Sequence, residues 1–316
     1  MTDPIHPYPG KKLKELFTQE TEYFKQMVAI RPNEVSGYVG LAESYINLWC
    51  YGFITGDDSL PQAREIIEQA MELNDTYGMM HAIAGVLKLS EWDWQGAEKA
   101  FRTAIELDSD NYKSRHWYAL YLSAMGRHKA AIRESKISES LAPPSGSKIG
   151  YASILYFAHE FAQMVEVLEK AVIDEAEFAS VYDWLGMAYV QLKQFDKSIE
   201  IYQKAVTLSD GLAEIKAGLG HAYGMAGKTA EARAVLDELL SLAEVYYVPP
   251  VQIAFVALGL EENQLAFDLL EKAYLQRSWE LVFLRTEPWF DDYHSDPRFQ
   301  DLIRRLNFPK KRDLNK

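Results

Sequence analysis

A mostly small residue returns every 34 positions along this chain. Ala63, Ala97, Ala131, Met164, Ser198, Ala232 and Ala266 are separated by 34, 34, 33, 34, 34 and 34 residues. A second series runs seven residues behind, at Ala70, Ala104, Ser138, Ala171, Ala205, Leu239 and Ala273. A third runs mostly twelve ahead, at Ala42, Gly85, Ala119, Ala152, Gly186, Gly220 and Ala254. Three phase-locked series across most of 316 residues require stacked, repeated units, each burying its apolar face on its neighbours.

Within each period the spacing is helical. Tyr182, Leu185, Gly186 and Tyr189 lie at i, i+3, i+4 and i+7, one stripe of a helix, and Ser198, Tyr202 and Ala205 form the stripe of its partner. Leu219, Gly220 and Tyr223 precede Gly227, after which Ala232 and Leu236 continue the pattern. Gly126 and Gly227 hold equivalent turn positions, where a helix ending in the left-handed region favours glycine. No stretch alternates as a strand does. The expected fold is all-α, built from antiparallel helix pairs with small residues at the closest helix contacts.

Period, small positions and aromatic positions together resemble a tetratricopeptide-repeat array. The resemblance implies a right-handed superhelical solenoid with seven repeats over 33–277. The first repeat is nine residues longer than the others, and Tyr51–Asp58 reads as a prolonged inter-helix loop. Residues 1–32 read as a proline-rich start and an orphan capping half-repeat helix. Phe24, Met27 and Pro32 fit a second helix of a repeat, while Pro4, Pro7 and Pro9 break its first. That half-repeat is either a natural cap or the trace of a longer chain.

Residues 278–316 read as an aromatic cap on the last repeat, with a short helix and a basic tail. Ser295 or Asp296 is the expected helix cap and Pro297 sits in the first turn. Pro288-Trp289-Phe290-Asp291 and Ser295-Asp296-Pro297-Arg298-Phe299, with Gly40-Leu41-Ala42-Glu43-Ser44-Tyr45 and Trp92-Asp93-Trp94, are similar to the repeat regions of bacterial signalling proteins. Those regions follow winged-helix regulator, adenylate-cyclase or serine/threonine-kinase domains; no effector domain is visible in this sequence.

The formal charge of −13 disfavours direct nucleic-acid binding. The basic cluster Arg304, Arg305, Lys310, Lys311 and Arg312 reads as cations at a helix end. Val245–Leu260 is the longest apolar stretch and is too short for a bilayer span. One cysteine, Cys50, and a polar start without a secretory signal fit the cytoplasm. The seven histidines are scattered, no glycine loop cradles phosphate, and no nucleophile has a base beside it. No catalysis, metal or cofactor is expected.

The resemblance implies a concave groove lined by the first helix of each repeat. Counting its positions gives His116 and Leu120, then Ile149, Ser153 and Tyr156, then Asp183 and Met187, then His221 and Phe255. For Tyr156 and Phe157 a groove reading and a core reading both stand, since adjacent residues cannot both face one way. Such a surface suits a peptide or partner protein. The lysine–asparagine carboxylate clamp of chaperone-binding relatives is missing: the corresponding pairs include Val39/Glu43, His116/Leu120 and Asp183/Met187. A non-catalytic binding scaffold or regulatory module is the leading reading. A self-assembling structural subunit, with its groove filled by its own terminus or a second copy, and an enzyme with a groove-built site are the alternatives.

Overall fold

The computed structural model describes residues 10–174 and 176–309, and among them the chain is helical with no strand. The prolines at 4, 7 and 9 and the basic residues 310–312 lie outside the described residues. In chain order the helices begin with α1 (Lys11–Ile30), α2 (Val35–Cys50), α3 (Gly56–Leu73), α4 (Gly78–Ser90) and α5 (Trp94–Leu107). There follow α6 (Tyr112–Ala124), α7 (His128–Leu141), α8 (Pro144–Phe157), α9 (Phe161–Asp174), α10 (Ala179–Gln191) and α11 (Phe195–Leu208). The last are α12 (Ala213–Met225), α13 (Thr229–Ala243), α14 (Pro250–Gly259), α15 (Asn263–Leu275) and, after two 3-10 turns at Trp279–Phe283 and Pro288–Tyr293, α16 (Pro297–Arg305).

The chain divides into two compact units. The first contains 17–160 and the segment from Trp279 onward; the second contains the chain up to Leu16 together with 161–278. In the first unit α2 packs on α3, α4 on α5 and α6 on α7; in the second, α10 packs on α11, α12 on α13 and α14 on α15.

The 34-residue series are the seams of this packing. Ala63, Ala97, Ala131, Met164, Ser198, Ala232 and Ala266 are all fully buried, as are Ala70, Ala104, Ala171, Ala205, Leu239 and Ala273. Two of the three glycines of the third series, Gly85 and Gly186, receive aromatic rings. A β-carbon on Gly85 would lie 2.6 Å from the Phe101 ring, and one on Gly186 would lie 2.7 Å from the Tyr202 ring. Tyr202 also presses its other edge on Gly218, where a β-carbon would sit 2.5 Å away. One fully buried tyrosine of α11 thus fills the space that two glycines of α10 and α12 leave open.

The turns repeat as faithfully. Gly126 and Gly227 end their helices at φ of 70° and 73°. Around Gly126 the amide of Arg127 donates to the Leu122 carbonyl and that of Gly126 to the Ser123 carbonyl, satisfying the last carbonyls of α6. Trp92, His159, Lys193 and Glu261 occupy the same register with φ of 57–60°, so side-chain-bearing residues accept the left-handed geometry there.

The long first repeat differs from the sequence expectation. Its extra residues extend the helices more than the loop: α2 has 16 residues against 13 in α4, and α3 has 18 against 14 in α5. Only Tyr51–Thr55 connects them. Gly56, Asp57 and Asp58 are the first turn of α3, because Thr55 caps the Asp58 amide and two carboxylates there oppose the helix dipole. Phe53 is buried, with its ring centroid 6.1 Å from that of Phe17 on α1.

Candidate functional site

In the first unit α2, α4 and α6, the first or A-helices of their pairs, share a partner from far along the chain. The turn Trp279–Phe283 packs against all three. Trp279 meets Trp49 edge-on at 5.4 Å between centroids and Trp117 at 5.8 Å. Phe283 stacks on Phe157 of α8 at 4.4 Å and 13°. The Tyr156 hydroxyl donates to Glu287 Oε1 at 2.5 Å. The Trp94 indole nitrogen donates to the Leu306 carbonyl at 2.8 Å, and its ring stacks on Phe308 at 4.4 Å. The first helices of these repeats are therefore contacted by the chain's own C-terminal segment.

The segment is held in shape locally. Asp296 caps α16 by accepting from the Arg298 amide, with Pro297 at the first helical position. Asp301 pairs with Arg304 and, at 2.8 Å, with Arg305. Glu287 caps the second 3-10 turn through the Trp289 amide. Burial raises its pKa to about 7, against the opposing bonds from Tyr156 and the Trp289 amide. Sequence reading assigned this aromatic cluster to the last repeat; its partners in the first unit are α2, α4, α6 and α8, together with Trp94 at the start of α5.

The candidate contacts fall into two groups. His116, Leu120, Ile149, Ser153 and Tyr156 belong to the first unit; Asp183, Met187, His221 and Phe255 belong to the second. The His116 ring lies against Gly150 of α8, and desolvation lowers its pKa to about 4. Leu120 is buried and Ile149 is partly exposed. Ser153 spends its hydroxyl on the Gly150 carbonyl, 2.8 Å away. Tyr156 is fully buried. Tyr156 and Phe157 do not divide between groove and core: both are buried, and both touch the C-terminal segment. The end of α8 lets two neighbouring side chains reach a segment that passes around it.

In the second unit Asp183 is buried and desolvation raises its pKa to about 7. His221 is buried with Nδ1 2.8 Å from the Phe255 carbonyl, and desolvation lowers its pKa to about 4 despite that bond. Met187 and Phe255 retain partial exposure. Lys113 of α6 reaches α2 and donates to both carboxylate oxygens of Glu43 at 2.7 and 2.9 Å. Among the described residues no group of His, Cys, Asp or Glu is arranged to hold a metal ion, and no helix is long and apolar enough to cross a membrane.

The residues missed in sequence are Trp94, Trp279, Phe283 and Glu287, which hold the segment on its helices. An acid flanked by Thr286 and Pro288-Trp289-Phe290 was the available signal, because a carboxylate inside an aromatic run asks for a hydrogen-bonding partner.

The sequence profile of the tetratricopeptide repeat matches residues 179–211, which hold α10 and α11. Human tetratricopeptide repeat protein 6 is 22% identical over 190 residues, 60% of this chain and 35% of that protein. The match thus spans about a third of the relative's length. A chain of the APC/C hetero-tetramer Cut9-Hcn1 superposes with a TM-score of 0.61 at 17% identity, covering 92% of this chain and 52% of the other. A tetratricopeptide repeat protein from Parabacteroides merdae gives 0.53 at 13% identity, over 81% and 98%. At these identities the structures share a fold. The described residues form an all-helical array of repeated helix pairs with the fold of tetratricopeptide-repeat proteins, and 179–211 match that repeat in sequence.

Proposed function

We propose that this chain is a non-catalytic protein-binding module whose A-helix face takes a peptide segment or partner protein. The observation that supports it most is the docking of Trp279–Phe308 along α2, α4, α6 and α8. A face that holds an aromatic-rich segment of its own chain through ring contacts and a buried tyrosine donor has the chemistry to hold another chain. In the second unit Met187 on α10 and Phe255 on α14 are partly exposed apolar groups on the first helices of their pairs, and they are the contacts we assign to a partner. A regulatory role in bacterial signalling is the context in which the sequence resemblance puts such a module.

The test is affinity measurement with a partner captured from the source organism. Met187→Ala and Phe255→Ala are expected to weaken binding by at least about 2 kcal/mol at a true hot spot while the melting midpoint holds. Full affinity in both variants removes the A-helix face of the second unit from consideration. Self-assembly is the second reading, favoured by a groove that already accepts its own chain. Light scattering that shows a concentration-dependent oligomer would establish it.

A further inference from the structure

The C-terminal segment also lines a cleft. A cleft of about 1120 Å³ opens between the α6–α7 turn, the turn at 158–160 and residues 285–303, all within the first unit. Its lining gathers cations in a chain of net charge −13. Lys129 and Arg133 project from the first turns of α7, and Arg285 comes from the C-terminal segment. Arg127 is also present, but it is neutralised by Glu98 at 2.6 Å.

The other three cations are not. No carboxylate pairs with Lys129, Arg133 or Arg285 among the described residues. Arg285 is half-buried; it donates to the Pro309 carbonyl at 3.1 Å and lies 5.8 Å from the Phe308 ring centroid, and desolvation lowers its pKa. A half-buried guanidinium with a carbonyl and a ring for company lacks the counter-charge such groups ordinarily have. His128 adds a buried Nδ1 with no hydrogen-bond partner among the described residues. The acids in the lining are Glu160 and Asp291, and Asp291 already faces His159 at 3.6 Å. Ile132, Phe299 and Ile303 supply apolar surface beside the charges.

We infer that this cleft binds an acidic peptide segment of a protein partner, with carboxylates meeting Lys129, Arg133 and Arg285. Cations drawn from separate elements, with apolar side chains between them, match a chain carrying several carboxylates better than one compact anion. The inference rests on the protein-binding reading and adds to it the chemistry of one partner and a second surface.

A fluorescein-labelled hexaglutamate peptide is the probe, titrated into the full chain with inorganic phosphate and a single-stranded thymidine oligonucleotide as competing anions. Binding is expected to weaken as salt rises from about 50 to about 300 mM. The double variant Lys129→Glu/Arg133→Glu changes exposed or partly exposed residues and should raise the peptide Kd at least about tenfold, as should Arg285→Gln with its melting midpoint checked. Met187→Ala and Phe255→Ala should leave peptide binding unchanged, which separates failure here from failure of the A-helix reading. Absence of peptide binding, unchanged affinity in both cleft variants, or tighter binding of phosphate or oligonucleotide than of the peptide would overturn the proposal.

Discussion

Tyr156 and Glu287 join across 131 residues of sequence through a buried hydrogen bond of 2.5 Å. Among the described residues no cation pairs with the acid, so burial favours its protonated form and the tyrosine bond only partly opposes this. Docking of the C-terminal segment through this pair is therefore expected to depend on pH.

Glu287 has a folded pKa raised from 4.5 to about 7. The folded state therefore holds a proton that the unfolded state has lost between these values, and stability from this group falls as pH rises from about 4.5 to 7. Glu287→Gln keeps a neutral hydrogen-bonding side chain and should flatten that slope, by up to roughly 3 kcal/mol across the window. Urea denaturation of both proteins at pH 5 and 7.5 measures the difference. Parallel profiles would contradict it.

His221 titrates the other way. Its folded pKa is lowered from 6.5 to about 4 by burial, against the bond to the Phe255 carbonyl. The unfolded imidazole takes up a proton that the folded one refuses, so stability from this group is lost as pH falls from about 6.5 to 4. His221→Gln should reduce that loss by up to roughly 3 kcal/mol, read from denaturation midpoints at pH 7 and 4.5.

Replacing Gly186 or Gly220 with Leu should cost roughly 1–3 kcal/mol or more through overpacking. At Gly186 the obstacle is the Tyr202 ring; at Gly220 it is Val235 and Val256, 2.8 and 2.9 Å from the first added carbon. Thermal melting that leaves both midpoints in place would sink this account of the 34-residue series.

Gly227 offers the contrasting case. A β-carbon there meets nothing within 4 Å, and φ is 73°, so Gly227→Ala should cost about 1 kcal/mol through backbone strain alone. Lys193 holds φ of 57° in the same register. Lys193→Gly trades that strain for unfolded-state entropy and should change stability by less than about 1 kcal/mol. Chemical denaturation of the two variants side by side checks the opposing outcomes.

Trp94→Phe removes one indole donor and leaves the Leu306 carbonyl without it. We expect a loss of about 1–3 kcal/mol and faster amide exchange in α16, measured by hydrogen–deuterium exchange. Unchanged protection over Pro297–Arg305 would show that the segment is held elsewhere.

What the sequence alone determined was everything with a period. Ala97, Ala131 and Ala232 mark helix seams because close approach excludes larger side chains at positions recurring with each pair. Gly126 and Gly227 mark turns because their φ is positive, and Asp296 marks a helix start because an orphan amide two residues on needs an acceptor. These are local demands, legible from neighbours in the chain. The tertiary structure decided the rest. Asp57 and Asp58 read as loop until Thr55 is seen capping them into a helix. Glu287 with Tyr156, and Trp94 with Leu306, are 131 and 212 residues apart, and no local pattern records which face a distant segment will cover. The cleft cations follow the same rule: Lys129 and Arg133 sit one helical turn apart, but Arg285 joins them only because aromatic burial brings the C-terminal segment back onto the first repeats.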